Sequence, residues 1–477
     1  MKRVLGILTF ILFVGLMSTS CSNNKTRPLE ESISAFLNGN EQIISFGSAN
    51  LKDILNKTEY EKESKVKAFL SEPMNQLMTS MNMDLPVYFA IEGPFIDGNP
   101  TATYLFMEVK DAALLKENLT KNGFEIQDAK DFSFVEDGDM NLAFDEKLAT
   151  ILIKPNVSDA KEALNALRKR TQGDVSTGMI ASILAKKDDV VIGASLANLL
   201  GTSNTDLKKL PEQKQDEFKA MMNNSFIENT LNFEDGAIVF ETKNHFSKEL
   251  QDKLFFNQDG SAEIVKYMGK GSPIVGFSMN LNTRKLQDFL EEFAPEALNE
   301  LSMIVGGPFA MAMMISNNDI SKLVDGKVGG VLVGDATNVI DGMTPDFNVY
   351  LGLGSLGKNL GGSIKEFMSD KFEVINLTDS SISGYSSKSF AGSGLKLPEA
   401  GEGFGKNTFD FFVNLEGIDV EEFQLEGAGR LIELVKFIKF NYNEHGGKLI
   451  VKAKNGKENA LKQVFDKLLN VFQDKIA

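Results

Sequence analysis

The feature that most constrains this fold is the cysteine content, because Cys21 is the only cysteine in 477 residues. No disulfide can form within the chain, so its stability must come from the burial of apolar side chains. Apolar residues make up 42% of the sequence, and 36 phenylalanines and 19 methionines are available to fill cores, although tryptophan is absent. This length and composition predict two or three globular cores.

The first twenty residues have the pattern of a secretory signal peptide and not of a fold element. Lys2 and Arg3 precede an apolar run from Val4 to Met17. That run is shorter than the roughly 20 residues that a membrane-spanning helix needs. No later segment is long and apolar enough, so the sequence predicts a signal peptide over residues 1–20 and no transmembrane helix in the mature chain.

A lipid attachment site is predicted where the signal peptide ends. The residues Ser18-Thr19-Ser20-Cys21 resemble the relaxed lipobox of bacteroidete lipoproteins. This resemblance implies cleavage before Cys21 and acylation of its sulfur and amino group, which holds a protein firmly at a membrane. The alternative is a chance unpaired thiol. No acidic run follows the cysteine, which favours a periplasm-facing lipoprotein of the cell outer membrane over surface export.

A repeated pattern predicts two related modules. Ile43 to Leu51 and Ile274 to Leu281 both indicate an apolar strand that ends in Asn-Leu and runs into a helix. Phe409 to Leu415 repeats this ending, and Val190 to Leu200 is a looser version. Downstream of the first two copies the order strand, helix, helix, strand, strand is shared, which predicts an internal duplication, although unrelated α+β segments can look alike.

The predicted fold class is α+β, with two related modules of antiparallel sheet and helices packed on one face. The domain boundaries are a signal peptide over 1–20, a polar tether over 21–40, an N-terminal α+β module over 41–232 and a C-terminal α+β module over 233–477. Further predicted elements are a helix over Asp111 to Lys121, a hairpin turn over Glu136 to Asp139, a strand over Phe309 to Ile315 and an amphipathic helix over Lys457 to Asp474.

Motifs for catalysis, metal ions and cofactors are weak. Only His245 and His445 are present, 200 positions apart, which disfavours a zinc site. Gly352 to Gly357 matches G-x-G-x-x-G, but the residues after it are poor for starting a helix, which argues against a nucleotide site. The sequence therefore predicts no catalytic residues, no metal and no cofactor. The net charge of −16 also argues against nucleic-acid binding.

Methionines are the one unusual apolar feature. Four of them fall at matching places in the two modules and are candidates for the floor of an apolar groove: Met78, Met81, Met311 and Met313. The alternative is that these side chains fill cores between helix and sheet. Pairs of acidic residues, Glu291-Glu292 and Glu421-Glu422, would be of interest only if they met in a cleft.

The lipobox, the Asn-Leu repeats and the strand-like segment after Gly306-Gly307-Pro308 together resemble an uncharacterised family of large bacteroidete lipoproteins defined as a domain of unknown function. The resemblance implies a lipid-anchored envelope protein without an assigned ligand. The first hypothesis is a non-enzymatic binding or scaffolding module, anchored to the membrane, whose partner is another envelope protein. The alternatives are a carrier or sensor of a hydrophobic ligand and a carboxylate-based hydrolase.

Overall fold

The computed structural model describes residues 28–59, 79–96, 99–155, 157–202, 212–256, 262–294, 313–334, 346–416, 418 and 427–474. These residues form two compact units. Unit 1 takes the described residues of Met1–Lys208, Met222–Glu234 and Leu461–Phe465, and unit 2 takes those of Lys209–Met221, Asp235–Ala460 and Asp466–Ala477. The predicted α+β class with antiparallel sheet is confirmed. The signal peptide and residues 21–27 lie outside the described residues.

Unit 1 is built on an antiparallel sheet. Its helices are α1 (Leu29–Leu37), α2 (Leu51–Thr58), α3 (Ala112–Lys121), α4 (Ala160–Thr171), α5 (Met179–Leu184) and α6 (Leu196–Thr202). Its strands are β1 (Ile43–Ala49), β2 (Val87–Ile96), β3 (Asn99–Glu108), β4 (Ile126–Asp128), β5 (Ser133–Asp137), β6 (Met140–Phe144), β7 (Leu148–Ile153), β8 (Val190–Ser195) and β9 (Phe226–Glu234). The strand order is β4-β5-β6-β7-β3-β2-β1-β8-β9.

Both faces of the unit 1 sheet are covered. Successive side chains of a strand point to opposite faces, and on β3 the neighbours Leu105 and Phe106 belong to different apolar clusters. Phe106 packs in the cluster that contains Phe36 of α1, whereas Leu105 packs in the cluster that contains Leu115 of α3. The predicted arrangement with helices on a single face therefore understates unit 1, where helices contribute to both clusters.

The prediction of a tether over 21–40 is wrong for Leu29–Leu37, which form the helix α1. Ile33 and Phe36 are completely buried, and the Phe36 ring lies 4.9 Å from the ring of Tyr104. The apolar positions 29, 33, 36 and 37 have helical spacing. The stripe is short and lies among polar residues, so the sequence did not predict a helix here. The contact of Phe36 with the sheet shows that α1 is part of the core.

Unit 2 repeats this architecture. Its helices are α7 (Glu212–Met222), α8 (Lys248–Lys253), α9 (Thr283–Phe293), α10 (Ile320–Leu323), α11 (Gly357–Met368) and α12 (Ala460–Asp474), of which Met222 and Leu461–Phe465 are assigned to unit 1. Its strands are β10 (Ala237–His245), β11 (Pro273–Asn280), β12 (Val324–Val333), β13 (Asp346–Leu353), β14 (Val374–Leu377), β15 (Ser381–Tyr385), β16 (Phe409–Asn414), β17 (Val435–Asn443) and β18 (Gly446–Ala453). Short 3₁₀ helices cover Ala262–Tyr267, Lys388–Phe390, Glu399–Gly401 and Gly427–Leu434.

The two units share the pairing of their four central strands, β3-β2-β1-β8 and β13-β12-β11-β16, whereas their outer strands differ in number. The order in unit 2 is β14-β15-β13-β12-β11-β16-β17-β18-β10. In each unit the first Asn-Leu strand, β1 or β11, is central and lies between the next strand of the chain and the later Asn-Leu strand, β8 or β16. A helix follows the first strand and another follows the third. The prediction of two similar modules is confirmed at the level of strand pairing, and a gene duplication stays a prediction.

The remaining element predictions were mostly correct. The helix α3 begins after Asp111, whose carboxylate accepts a hydrogen bond of 2.9 Å from the backbone N–H of Leu114, and the hairpin turn falls between β5 and β6. The strand over Phe309 to Ile315 was wrong for its last three residues, which are helical, because an alternating Met and Ala run does not distinguish helix from strand. Among the described residues, no helix is both long and apolar enough to span a membrane.

Candidate functional site

The two histidines come together in space. The backbone N–H of Asn244 donates to the carbonyl of His445 over 2.9 Å, so β10 and the turn before β18 bring residues 245 and 445 to one edge of unit 2. The side chain of His445 is 86% exposed and lies 3.3 Å from Glu444. Within the described part of the chain, no group of three His, Cys, Asp or Glu residues is placed to hold a metal ion.

The G-x-G-x-x-G segment is a structural turn. The expectation that no helix follows it was wrong, because α11 begins at Gly357. The strand before it, β13, nevertheless pairs antiparallel with both neighbours and does not form the parallel unit that a phosphate loop needs. A Cβ on Gly357 would lie 2.0 Å from the carbonyl oxygen of Leu323, and one on Gly354 would lie 2.5 Å from that of Lys322. These glycines allow close approach to the α10 backbone.

Of the four methionines predicted to floor a groove, the two that the structure describes, Met81 and Met313, are buried. Met81 is 6% exposed and packs in the core of unit 1, whereas Met313 is fully buried in a small cluster of unit 2. Both positions match the alternative, that methionine fills cores. Cys21, Met78 and Met311 lie outside the described residues.

A cavity of about 370 Å³ in unit 1 contains several acidic side chains. It lies between α3 and the ends of β4 and β6, and Asp128 and Asp145 are among its lining residues. Hydrogen bonds from Ser133 and Lys116 lower the pKa of the exposed Asp128, and Asp145 is paired with Arg168. Asp128 is therefore ionised at neutral pH and cannot serve as a general acid there. This cavity does not present the buried acid pair of the hydrolase hypothesis.

The most unusual surface is one face of the unit 2 sheet, which we call the open face. Directly paired residues share a face, and the pairing from β13 across to β10 places apolar side chains on this face at every strand. Its members are Val275, Phe277, Met279, Val328, Leu332, Phe347, Val349, Leu351, Phe409, Phe411, Val413, Ile438, Phe440, Tyr442, Leu449, Val451, Ile238 and Phe240. None of these positions carries a charge.

Side chains of the open face are incompletely covered. Phe277 in the middle of the sheet is 41% exposed, and the other members are half-buried. On the opposite face, Phe412 and Val331 are at most 3% exposed in a packed cluster. A sheet face on which apolar side chains of every strand remain in contact with solvent is a candidate interaction site.

Glycines next to aromatic rings shape the middle of the sheet. The ring of Phe277 lies over Gly330 on the neighbouring strand, where a Cβ would come within 2.6 Å of it. Unit 1 has the same pair with the two residues on opposite strands. There the glycine, Gly47, is on the first strand, β1, and the aromatic residue, Phe89, is on the second strand, β2. In both units the aromatic ring covers the backbone that the glycine leaves without a side chain.

A chain of aromatic rings forms a wall across the open face where β16 begins and β17 ends. It starts on the sheet with Phe409 and Phe440 and continues through Tyr442 to the segment after α8 and to α9. Successive ring centroids are 5.2 to 6.3 Å apart along Phe409, Phe440, Tyr442, Phe256, Phe255, Phe289 and Phe293. Aromatic pairs at this spacing are stabilised beyond the burial of their surface. The rings of the wall therefore hold one another in place.

Polar groups lie beside the wall where it leaves the sheet at Tyr442 and where it ends on α9. Burial raises the pKa of Tyr442, whose hydroxyl accepts a 2.8 Å hydrogen bond from the side-chain amide of Asn244. At the other end Glu292 accepts hydrogen bonds from Lys253 and from Lys214, and these cations lower the pKa of its carboxyl group. Lys214 also pairs with Glu217, so these two lysines are balanced by two carboxylates among the described residues.

Sequence reasoning missed the open face although its signal was present. β17 alternates Ile438, Phe440 and Tyr442 with Lys439 and Asn441, which is the pattern of a strand with one apolar face. Such a pattern shows that a face is apolar but not whether anything covers it. The groove prediction rested on methionine, whereas this face has one methionine among its 18 members and six phenylalanines.

The comparisons with known proteins are sparse. No curated protein matches the chain. Solved structures described as crystal forms III, IV and I of TP0453 are 10%, 8% and 10% identical to it and cover 47%, 46% and 47% of this chain and 81%, 81% and 80% of their own, with TM-scores of 0.29, 0.29 and 0.28. Values this low do not establish a common fold. The model of a domain of unknown function, DUF4836, matches residues 81–302, a range that includes parts of both units.

Proposed function

We propose that this protein is a non-enzymatic, lipid-anchored protein of the cell envelope whose open face binds an apolar partner. The observation that carries the proposal is the exposure of Phe277 at the centre of an uncharged apolar sheet face. The signal-like N-terminus and Cys21 support an envelope location, with the chain facing the periplasm from the outer membrane.

The anchor is tested by metabolic labelling with an alkyne fatty acid. The full chain is expected to incorporate the label and to fractionate with outer membranes, and Cys21→Ser is expected to lose both properties. Labelling of Cys21→Ser at the level of the unchanged chain would contradict the lipid anchor.

The open face is tested with an environment-sensitive apolar dye, N-phenyl-1-naphthylamine, on the chain from Ser22 to Ala477, which keeps every described residue. Dilute protein is expected to enhance the dye fluorescence, and Phe277→Lys and Leu449→Lys are each expected to reduce the enhancement at least about fivefold, because a charge on the face must be desolvated. Lys452→Gln is the matched control, since residue 452 lies next to Val451 but on the opposite face. Equal dye binding by all four chains would show that the open face is not the binding surface.

A second candidate function is a carrier or sensor of a hydrophobic ligand, which the aromatic wall favours. Native mass spectrometry of the chain from Ser22 would then show a reproducible extra mass that denaturation removes. Phe256→Ala, which interrupts the wall between Phe255 and Tyr442, is expected to lose this mass. A clean apo mass in the unchanged chain would reject the carrier.

A further inference from the structure

The partner on the open face can be specified further, on the basis of the function proposed above. We propose that a second copy of this chain covers it, so that two unit 2 sheets pack face to face in a symmetric dimer. A two-fold interface uses the same patch on both copies. The surface must therefore be complementary to itself in size, shape and charge.

The width of the open face is that of a sheet. Seven adjacent strands from β13 to β10 contribute to it, and at about 4.8 Å between strands they span about 29 Å. A single acyl chain would leave most of this width in water. A helix is about 10 Å across, so three helices side by side would be needed. A second sheet of the same width covers the whole face at once, since stacked sheets pack about 10 Å apart.

Charge also favours a second copy. The chain has a formal net charge of −16, so two copies repel each other over most surfaces. The open face has no charged member, and Val349, Phe411 and Leu449 illustrate its uniform aliphatic and aromatic character. Two such faces can meet without placing like charges in a medium of low dielectric constant. The cores of homodimer interfaces have this composition, depleted in charge and enriched in aromatic residues and Met.

The experiment is sedimentation velocity of the chain from Ser22 to Ala477 over a range of protein concentrations, without detergent. A reversible monomer to dimer transition is expected. Its dissociation constant should not rise between roughly 0.05 and 0.5 M NaCl, because no ion pair crosses an uncharged face and added salt screens the repulsion between two negatively charged chains. A transition that is lost at high salt would overturn the proposal, since it would place the contact on charged surfaces.

Variants on the two faces of the unit 2 sheet show which face forms the dimer contact. Phe277→Lys and Leu449→Lys are each expected to raise the dissociation constant at least about 100-fold, because the two-fold axis brings two equal charges into one interface. Lys452→Gln on the opposite face should leave it unchanged. Circular dichroism melting identifies a variant that has lost its fold, in which case the other variant decides.

The outcomes separate this proposal from the proposed function. A dimer abolished by the face variants supports the second copy, and a dimer that persists in both folded variants overturns it. A chain that stays monomeric at all concentrations but binds N-phenyl-1-naphthylamine through the open face overturns the dimer and leaves the proposed function intact. A monomer that does not bind the dye overturns both.

Discussion

Units 1 and 2 pair their four central strands in the same way, but one face of the sheet is buried in unit 1 and partly exposed in unit 2. In unit 1, Leu105 pairs with Phe89 and is 3% exposed. The residue in the same position of unit 2 is Val349, which pairs with Gly330 and is half-buried. The difference lies in what packs above the sheet, since Leu115 of α3 covers this face in unit 1. A shared topology therefore specifies which residues line a face but not whether that face becomes core or binding surface.

The sharpest test of this comparison truncates matched residues two positions further along the third strand. Met107→Ala in unit 1, where Met107 is 5% exposed, is expected to lower the free energy of unfolding by about 2–5 kcal/mol, because a cavity remains in a packed core. Leu351→Ala on the half-buried open face should cost about 1 kcal/mol in the monomer. Urea unfolding followed by circular dichroism at dilute protein measures both. Equal losses would show that the open face is packed as tightly as the core.

Replacing a matched glycine in each unit is expected to give the next largest difference in stability between the units. Gly47→Ala places a Cβ 1.9 Å from the carbonyl oxygen of Val191, so backbone must move, and a loss of about 3 kcal/mol is expected. Gly330→Ala meets only the outer atoms of the exposed Phe277 ring, which can rotate away, and should cost under about 1 kcal/mol. Thermal melting of both variants measures the effect. A larger loss for Gly330→Ala would mean that the Phe277 ring is held in place.

Removing one lysine of an ion pair in each unit is expected to give a smaller difference in the free energy of unfolding. Lys57 contacts both carboxylate oxygens of Asp189 at 2.6 Å, and the Asp189 side chain is only 4% exposed. Lys57→Met is expected to cost about 2 kcal/mol, below the range for fully buried pairs because Lys57 itself is 32% exposed. Lys253→Met removes a solvent-exposed partner of Glu292 and should cost well under about 1 kcal/mol. Denaturant unfolding of both variants measures the two losses of stability. A larger loss for Lys253→Met than for Lys57→Met would contradict the expectation that the more buried ion pair contributes more.

The last difference has no effect at neutral pH and appears only in alkali. Burial, with a contribution from Glu30, raises the pKa of Tyr88 from 10.0 to about 12, and burial and the hydrogen bond to Glu92 raise that of Tyr104. A raised pKa favours the neutral form, so this stability is complete below pH 10 and is lost as the pH rises from about 10 through 12. Tyr88→Phe should flatten the decline. Absorbance at 295 nm that shows Tyr88 ionising near pH 10 without unfolding would contradict its burial in unit 1.

The parts of the fold that local patterns control were predictable. The helix over Thr283–Phe293 and the turn around Gly138, at φ +61°, follow from apolar spacing and turn chemistry within a few residues. The errors arose where distant contacts decide the structure. Leu29–Leu37 is helical because Phe36 packs on β3, and Gly357 starts a helix because its missing side chain admits the backbone of α10. The partners in both contacts are distant in sequence, so the local pattern, even the helical spacing of Leu29–Leu37, does not show what each segment packs against.

The sequence by itself determined that the chain has no disulfide, that it must rely on apolar burial, and that its strands would alternate between two kinds of face. It also contains the signal-like segment and the lipidation candidate Cys21. Only the tertiary structure decided which apolar residues are core and which remain accessible. Phe106 and Phe277 occur in similar apolar strands, yet one is fully buried and the other is 41% exposed. The physical reason is that the hydrophobic effect depends on the area removed from water, and that area is set by packing partners far away in the chain.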